Sequence, residues 1–177
     1  MTQELVMEAL EKLKIADKHA VAELMASQGI WKAGTSAVNN TYKKLMDLVA
    51  LGRLVKGDGF FRVPSCKSEY GTHSQTVTST LVKVLKVYPG TIVYREHTIH
   101  EVGLRPDALC LLIKEGKGLC LWIEVCNHEP PEYFEMKKNA LKSWNALPYI
   151  SRLFNYQIPA YQLVKDTELT PFLEEVA

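Results

Sequence analysis

Two apolar segments joined by a short turn constrain the fold of this chain more than any other feature of its sequence. The segments cover residues 107–114 and 118–126, and the turn sequence at 115–118 contains two glycines. Apolar runs of this length around a glycine-containing turn are typical of two strands joined as a β-hairpin. Asp107 opens the first strand and Glu124 lies near the end of the second. The pattern therefore predicts a hairpin with one acid on each strand.

The segments around this hairpin predict a helix and a strand on each side of it. Before it, a helix is expected up to about residue 88, followed by a strand at 91–98. After it, apolar spacing favours a helix at 131–144 and a strand near 160–164. The resulting order, αβββαβ, predicts an α+β or α/β domain over residues 65–177.

The first third of the chain follows a different pattern. Apolar residues recur at helical spacing over 2–14, a second helix is expected after the N-cap residue Asp17, and a third over 35–51. The period then changes to that of a strand, a tight turn at 57–59 and a second strand. Three helices followed by a hairpin are typical of a winged helix-turn-helix, which we expect over residues 1–64.

The third predicted helix is the candidate contact with double-stranded DNA, because the corresponding helix of a winged helix normally lies in the major groove. Asparagine can pair with adenine through two hydrogen bonds, and lysine supplies charge for phosphate. The candidate DNA-binding residues are Ser36, Asn39, Asn40, Lys43 and Lys44, with Lys56 and Arg62 from the hairpin. The residues expected to face inward are Val38, Tyr42, Leu45, Met46 and Val49. The alternatives are a solvated helix face and a protein-interaction module.

Composition limits the classes of protein to consider. The chain has 177 residues and 47% hydrophobic content, enough for two compact units. A net charge of +1 argues against a general binder of polyanions, although basic residues can still be concentrated on one face. No apolar run is long enough to span a bilayer, and the first residues lack the pattern of a secretory signal. We therefore expect a soluble, cytoplasmic protein with no membrane partner.

The cysteines are expected to be reduced and structural. Cys66, Cys110, Cys120 and Cys126 include no CxxC pair, and three of them lie in or beside apolar strand-like runs. A zinc site at Cys126 and His128 would need two further ligands.

The acidic hairpin resembles the active site of the PD-(D/E)xK nuclease superfamily. In that superfamily an Asp opens one strand, a Glu lies on the next, and a Lys follows two residues later. The resemblance is carried by Arg105-Pro106-Asp107-Ala108 and Ile123-Glu124-Val125. Cys126 stands where the Lys is expected. The predicted αβββαβ order agrees with the core of the superfamily, which supports the resemblance independently.

Within the superfamily, the chain is most similar to the replication-relaxation family of plasmid and mobile-element proteins. In that family a winged helix precedes a nuclease-like domain. The resemblance covers nearly the whole chain and also involves Gly59-Phe60-Phe61-Arg62-Val63, His73 and the segment 135–141 with its lysines.

The resemblance implies a conditional Mg²⁺ site and no other cofactor. Carboxylates on neighbouring strands, about 5 Å apart, can share this ion, and Asp107 and Glu124 would hold it with the main-chain carbonyl of Val125. Glu69, or alternatively Glu96, would supply a further acid. If the missing lysine has moved to the following helix, its candidates are Lys137, Lys138 and Lys142, with Lys138 taken as the conditional catalytic residue. If it is lost, the fold is retained without cleavage, because a thiol is mostly neutral at pH 7.

Both acids also have a structural interpretation. Asp107 would bind backbone amides at the start of its strand, with Arg105 as its ion-pair partner. Glu124 interrupts an apolar strand, where a buried charge is costly unless it is paired or bound to metal, and strand alternation could instead point it outward.

Three functional hypotheses follow. The first is a homodimeric DNA-binding protein of a mobile element, plasmid or phage that controls replication or transcription and uses a degenerate nuclease-like domain for dimerisation or DNA contact. The second is a Mg²⁺-dependent DNA endonuclease or nickase that uses Asp107 and Glu124. The third is a protein-docking module with no DNA role.

Overall fold

The computed structural model of this chain has a mixed α+β architecture. It describes residues 2–67, 69–114, 116–125 and 130–176. Its contacts divide the chain into two compact units, unit 1 at Met1–Pro89 and unit 2 at Gly90–Ala177.

In its described residues, unit 1 contains four helices and a small antiparallel sheet. In chain order the elements are α1 Thr2–Leu13, β1 Ile15–Ala16, α2 Lys18–Ser27, α3 Thr35–Ala50, β2 Val55–Lys56, β3 Phe61–Arg62 and α4 Thr72–Val87. The sheet has the strand order β1-β3-β2, so that β3 pairs with both of its neighbours. The three predicted helices and the predicted hairpin are confirmed to within a few residues, whereas β1 is an addition.

The start of α2 follows directly from its sequence. The carboxylate Oδ1 of Asp17 accepts hydrogen bonds from the backbone N–H groups of His19 at 2.7 Å and Ala20 at 2.8 Å. These bonds satisfy donors that the first helical turn leaves without a partner in the helix, as an N-cap residue does. The predicted N-cap is therefore confirmed.

The buried face of α3 differs from the predicted one. It consists of Ala37, Thr41, Leu45 and Leu48. Of the residues expected to face inward, only Leu45 is buried, and Tyr42 is 38% exposed. The helix carries two apolar stripes, and the one with small Ala37 and Thr41 allows closer approach to α1 and α2. The prediction is therefore confirmed for Leu45 and wrong for Tyr42, while Val38, Met46 and Val49 are partly buried.

Helix α4 lies in unit 1. It contacts α1, α2 and β1, and the hydroxyl of Thr78 donates to the carbonyl of Ile15 at 2.8 Å. The ammonium of Lys86 also pairs with Glu23 of α2 at 2.7 Å. The sequence placed this helix with the second domain, beginning at residue 65. The predicted boundary at residue 65 states which parts of the chain fold independently, and it stays a prediction.

Unit 2 is built on a four-stranded sheet with the order β4-β5-β6-β7. The pairs β4–β5 and β5–β6 are antiparallel, and β6–β7 is parallel. Its elements are β4 Ile92–Arg95, β5 Ala108–Lys114, β6 Lys117–Glu124, α5 Pro131–Trp144, α6 Leu147–Phe154, β7 Ala160–Lys165, a 3₁₀ turn at Asp166–Glu168 and α7 Leu169–Val176. The predicted helix at 131–144 and strand near 160–164 are confirmed, while α6 and α7 are additions.

The strand predicted at 91–98 ends at Arg95 for a backbone reason. Glu96 has a φ of 53°, in the left-handed region, which a β-strand does not include. Its N–H nevertheless donates to the carbonyl of Asp107 at 3.0 Å, so the chain stays beside the start of β5.

One face of the sheet forms a hydrophobic core with α5 and α6. Leu109, Leu111 and Trp122 of the sheet belong to a buried cluster with Leu141 of α5 and Ile150 of α6. Burial of this apolar surface is the main contribution to the stability of such a unit.

The described cysteines are free, as expected. Cys66 is partly exposed, whereas Cys110 and Cys120 are buried. Burial raises the pKa of both buried thiols, to about 12 for Cys120, so they are neutral at physiological pH. The predictions on Cys126 and His128 lie outside the described residues.

Candidate functional site

Glu124 and Lys137 form a buried ion pair in unit 2, and the partly buried Asp107 lies beside them. Ala108 of β5 pairs with Ile123 of β6, and the same register places Asp107 beside Glu124. Lys137 reaches Glu124 from α5, which covers this face of the sheet. The hairpin therefore brings the two acids together as predicted, and the following helix adds a cation.

The carboxylate of Glu124 has a hydrogen-bond donor on each oxygen. Oε1 accepts from the indole N–H of Trp122 at 2.6 Å, and Oε2 accepts from the ammonium of Lys137 at 2.5 Å. Only 4% of Glu124 and 6% of Lys137 are exposed. Trp122 lies two residues before Glu124 on the same strand, so both point to the same face. The side chain is thus directed inward and paired.

Asp107 is held by the backbone of the neighbouring strand. Its Oδ2 accepts from the N–H of Val125 at 2.7 Å, in agreement with the structural interpretation of an acid bound to a backbone amide. Arg105, expected as its ion-pair partner, donates to Glu96 at 2.5 Å. Glu96 also lies 3.7 Å from the guanidinium of the buried Arg95.

The pKa values of Glu124 and Lys137 are both raised, which favours their protonated forms. Burial raises the pKa of Glu124 and outweighs the hydrogen bonds from Lys137 and Trp122, which lower it, while the charge of Asp107 adds to the rise. Burial alone would lower the pKa of Lys137, but the hydrogen bond and charge of Glu124 raise it. The rise at Glu124 is that of a carboxyl removed from water, and the rise at Lys137 is that of an ammonium paired with a carboxylate.

A Mg²⁺ ion at Glu124 would compete with the hydrogen-bond donors that this carboxylate already has. This ion needs oxygen ligands, and both oxygens of Glu124 already accept from Trp122 and Lys137. Among the described residues there is also no group of three or more His, Cys, Asp or Glu side chains that could hold a metal.

The remaining predicted residues of this site lie elsewhere. Lys138 is 56% exposed and pairs with Glu135 at 3.7 Å, and Lys142 is exposed. Glu69 is exposed in unit 1. Glu96 lies closer: it directly follows β4 and its N–H donates to the carbonyl of Asp107, but its carboxylate pairs with Arg105.

The structure distinguishes Lys137 from its neighbour on α5. Among the described residues of this helix, Phe134, Lys137 and Leu141 are buried, at intervals of three and four residues, whereas Lys138 is exposed. The intervals from Phe134 to Lys138 and from Lys138 to Leu141 are equally helical. Spacing alone therefore does not identify the lysine that meets Glu124.

The predicted DNA-binding residues lie on the surface of unit 1. On α3, Ser36, Asn39, Asn40 and Lys43 are exposed. Lys44 is partly covered and pairs with Asp47 at 3.2 Å. On the β2–β3 hairpin, Lys56 is exposed, and Arg62 donates to the carbonyl of Cys66. The side of α3 that faces away from α1 and α2 is therefore polar and basic.

Comparison with known proteins adds no relative: no family model, curated protein sequence or solved structure matches the chain. None of the described helices is both long and apolar enough to cross a membrane.

Proposed function

We propose that unit 1 is a winged helix-turn-helix module that binds double-stranded DNA through α3. The exposed polar face of α3, with Asn39, Asn40 and Lys43, is the observation on which this proposal rests. The element order supports it, since α3 is followed by the β2–β3 hairpin, which would serve as the wing.

The chemistry of this face suits a major groove. Two exposed asparagines on consecutive positions offer paired donors and acceptors, which match adenine, and Lys43 offers charge to phosphate. Ser36, one turn before Asn40 on the same face, has a hydroxyl for a phosphate or a base edge. The proposal therefore assigns base contacts to the asparagines and backbone contacts to the lysine.

For unit 2 we propose a nuclease-like PD-(D/E)xK fold whose acids no longer cut DNA. The carboxylate of Glu124 is occupied by Lys137 and Trp122, which supports a structural role for the pair. Unit 2 would then serve dimerisation or additional DNA contact, and a homodimer would match a palindromic site. The whole chain would act as a replication or transcription regulator of a mobile element, plasmid or phage.

The DNA-binding proposal is tested by selecting bound duplexes from a random-sequence library with the full-length chain. We expect an enriched sequence containing adenine. Asn39→Ala and Asn40→Ala should each weaken binding to that sequence, by about 1–3 kcal/mol where a two-bond contact to a base is lost. Lys43→Gln should weaken binding to all duplexes alike.

The control for these substitutions is Gln75→Ala, which removes an exposed amide from α4 in the same unit. It should leave the selected sequence and its affinity unchanged. Failure of the full-length chain to bind any duplex at low salt would refute the proposal and favour a protein-docking role.

Metal-dependent DNA cleavage is a second candidate, favoured by one observation. Lys137 of α5 brings an ammonium to Glu124, beside Asp107, and so supplies a cation that position 126 does not. We rank this function second because Lys137 neutralises Glu124 within a buried pair.

A cleavage assay on supercoiled plasmid with Mg²⁺ or Mn²⁺ separates the two candidates. If the nuclease-like site is inactive, the wild-type chain should bind the plasmid without nicking it. Nicking that disappears in Asp107→Asn and Lys137→Met but persists in Lys138→Met would establish the nuclease. Nicking that persists in all three variants would indicate a contaminating enzyme.

A further inference from the structure

Two lysines lie beside the ring of Tyr42 of α3 on the surface of unit 1. The ammonium of Lys18, from α2, lies 5.5 Å from the centroid of its ring, and that of Lys56, from β2, lies 5.9 Å away. Three elements that are distant in sequence thus place two cations on one aromatic side chain. The sequence analysis missed this group because it assigned Tyr42 to the core.

A contact with a buried aromatic side chain holds the ring of Tyr42 in place. Tyr42 meets the buried Phe61 of β3 edge to face, with centroids 6.1 Å apart and an interplanar angle of 70°. Such contacts fix an aromatic side chain while leaving its polar end accessible. The hydroxyl of Tyr42 is therefore carried by a rigid ring at the junction of α3 and the hairpin.

Four other cations of the same unit, Lys12, Lys44, Arg53 and Lys86, each pair with an acid on its surface. Within the described part of the chain, Lys18 and Lys56 pair with no carboxylate, and both contact the Tyr42 ring. This shared aromatic contact distinguishes them from a lysine such as Lys83, for which no contact with a ring or an acid is found among the described residues.

The location of Lys18 is also unfavourable for the fold alone. It is the first residue of α2, where the helix dipole disfavours a cation. Lys56 adds a second positive charge on the same ring, and like charges repel. The Tyr42 ring attracts each ammonium but does not neutralise its charge, so two cations around one ring form a suitable place for an anion.

We propose that Lys18, Tyr42 and Lys56 form a phosphate clamp that holds the DNA backbone beside the groove contacted by α3. This inference rests on the proposed function of unit 1. A backbone phosphate between the two ammonium groups would relieve their repulsion, and the Tyr42 hydroxyl would donate a hydrogen bond to one of its oxygens. The clamp would fix the register of α3 without reading sequence.

The test measures how salt weakens binding of the full-length chain to a labelled random-sequence duplex of about two helical turns. Each phosphate contact contributes about 0.9 to the slope of log affinity against log salt concentration. We expect the double variant Lys18→Gln/Lys56→Gln, which leaves this phosphate without a cation, to reduce the slope by about one, and each single variant to reduce it by less. Tyr42→Phe should weaken binding with a smaller change in slope, because it removes a hydrogen bond but no charge.

Lys83→Gln is the matched control, since Lys83 is an exposed lysine of α4 in the same unit. It should keep the wild-type slope. If the wild type binds with a steep slope and the double variant behaves like Lys83→Gln, the clamp is refuted while the DNA-binding function stands. If the wild type does not bind even at about 50 mM salt, the clamp and the proposed function both fail.

Discussion

At the scale of single residues, the pair of Glu124 and Lys137 has the largest expected effect on stability. Replacing Lys137 by Met leaves the carboxylate of Glu124 buried without its cation. Breaking a buried pair in this way costs about 3–5 kcal/mol of unfolding free energy. Urea unfolding of the full-length chain at pH 7 measures the loss. Lys138→Met, one residue further along α5 and exposed, should change the stability by less than about 0.5 kcal/mol.

The pH dependence of this loss identifies Glu124 as its origin. A carboxyl whose pKa is raised in the folded state contributes stability that is complete below its unfolded value, 4.5, and is lost as the pH rises through the folded value. In Lys137→Met, the deficit relative to wild type should therefore shrink as the pH falls from 7 towards 4.5. The variant Glu124→Gln/Lys137→Met should recover part of the stability, and a deficit independent of pH and of Glu124 would contradict this account.

At the scale of secondary-structure elements, the sequence predicts what local rules determine. Helices α1, α2 and α5 and the β5–β6 hairpin have periodic apolar residues, caps or turn glycines, and their positions follow from these signals. The proximity of Asp107 and Glu124 follows in turn from hairpin register. The contact that occupies Glu124 requires the orientation of α5, which local patterns do not specify.

The prediction that Tyr42 of α3 faces inward was wrong for the same reason, because it also depends on how the helix is oriented. Two apolar stripes on one helix satisfy the same periodicity, and the choice depends on the helices that cover it. Burial of Ala37 and Thr41 turns Tyr42 outward, towards Lys18 and Lys56. The short elements β1, α6 and α7 were not predicted, because segments of two to eight residues have too little periodicity to be distinguished from loops.

At the scale of the whole molecule, the boundary between independently folding parts is the testable question. The predicted winged helix ends at residue 64, whereas unit 1 extends to Pro89 and includes α4. Contacts of α4 with α1, α2 and β1 cover surfaces that a fragment of residues 1–64 would expose. A domain of about 60 residues buries only about 60% of the surface that its unfolded chain exposes, less than a larger domain does, and is marginally stable.

We therefore expect a fragment of residues 1–89 to unfold cooperatively on heating and a fragment of residues 1–64 to melt at a lower temperature or without a cooperative transition. Circular dichroism of the two fragments measures the difference. A fragment of residues 1–64 extended by a Gly/Ser tail of the same length as 65–89 is the control, because it restores chain length without α4. Equal midpoints for all three fragments would show that α1 to β3 fold without α4 and would support the boundary at residue 65. A higher midpoint for 1–89 alone would make α4 part of the same folding unit as α1 to β3.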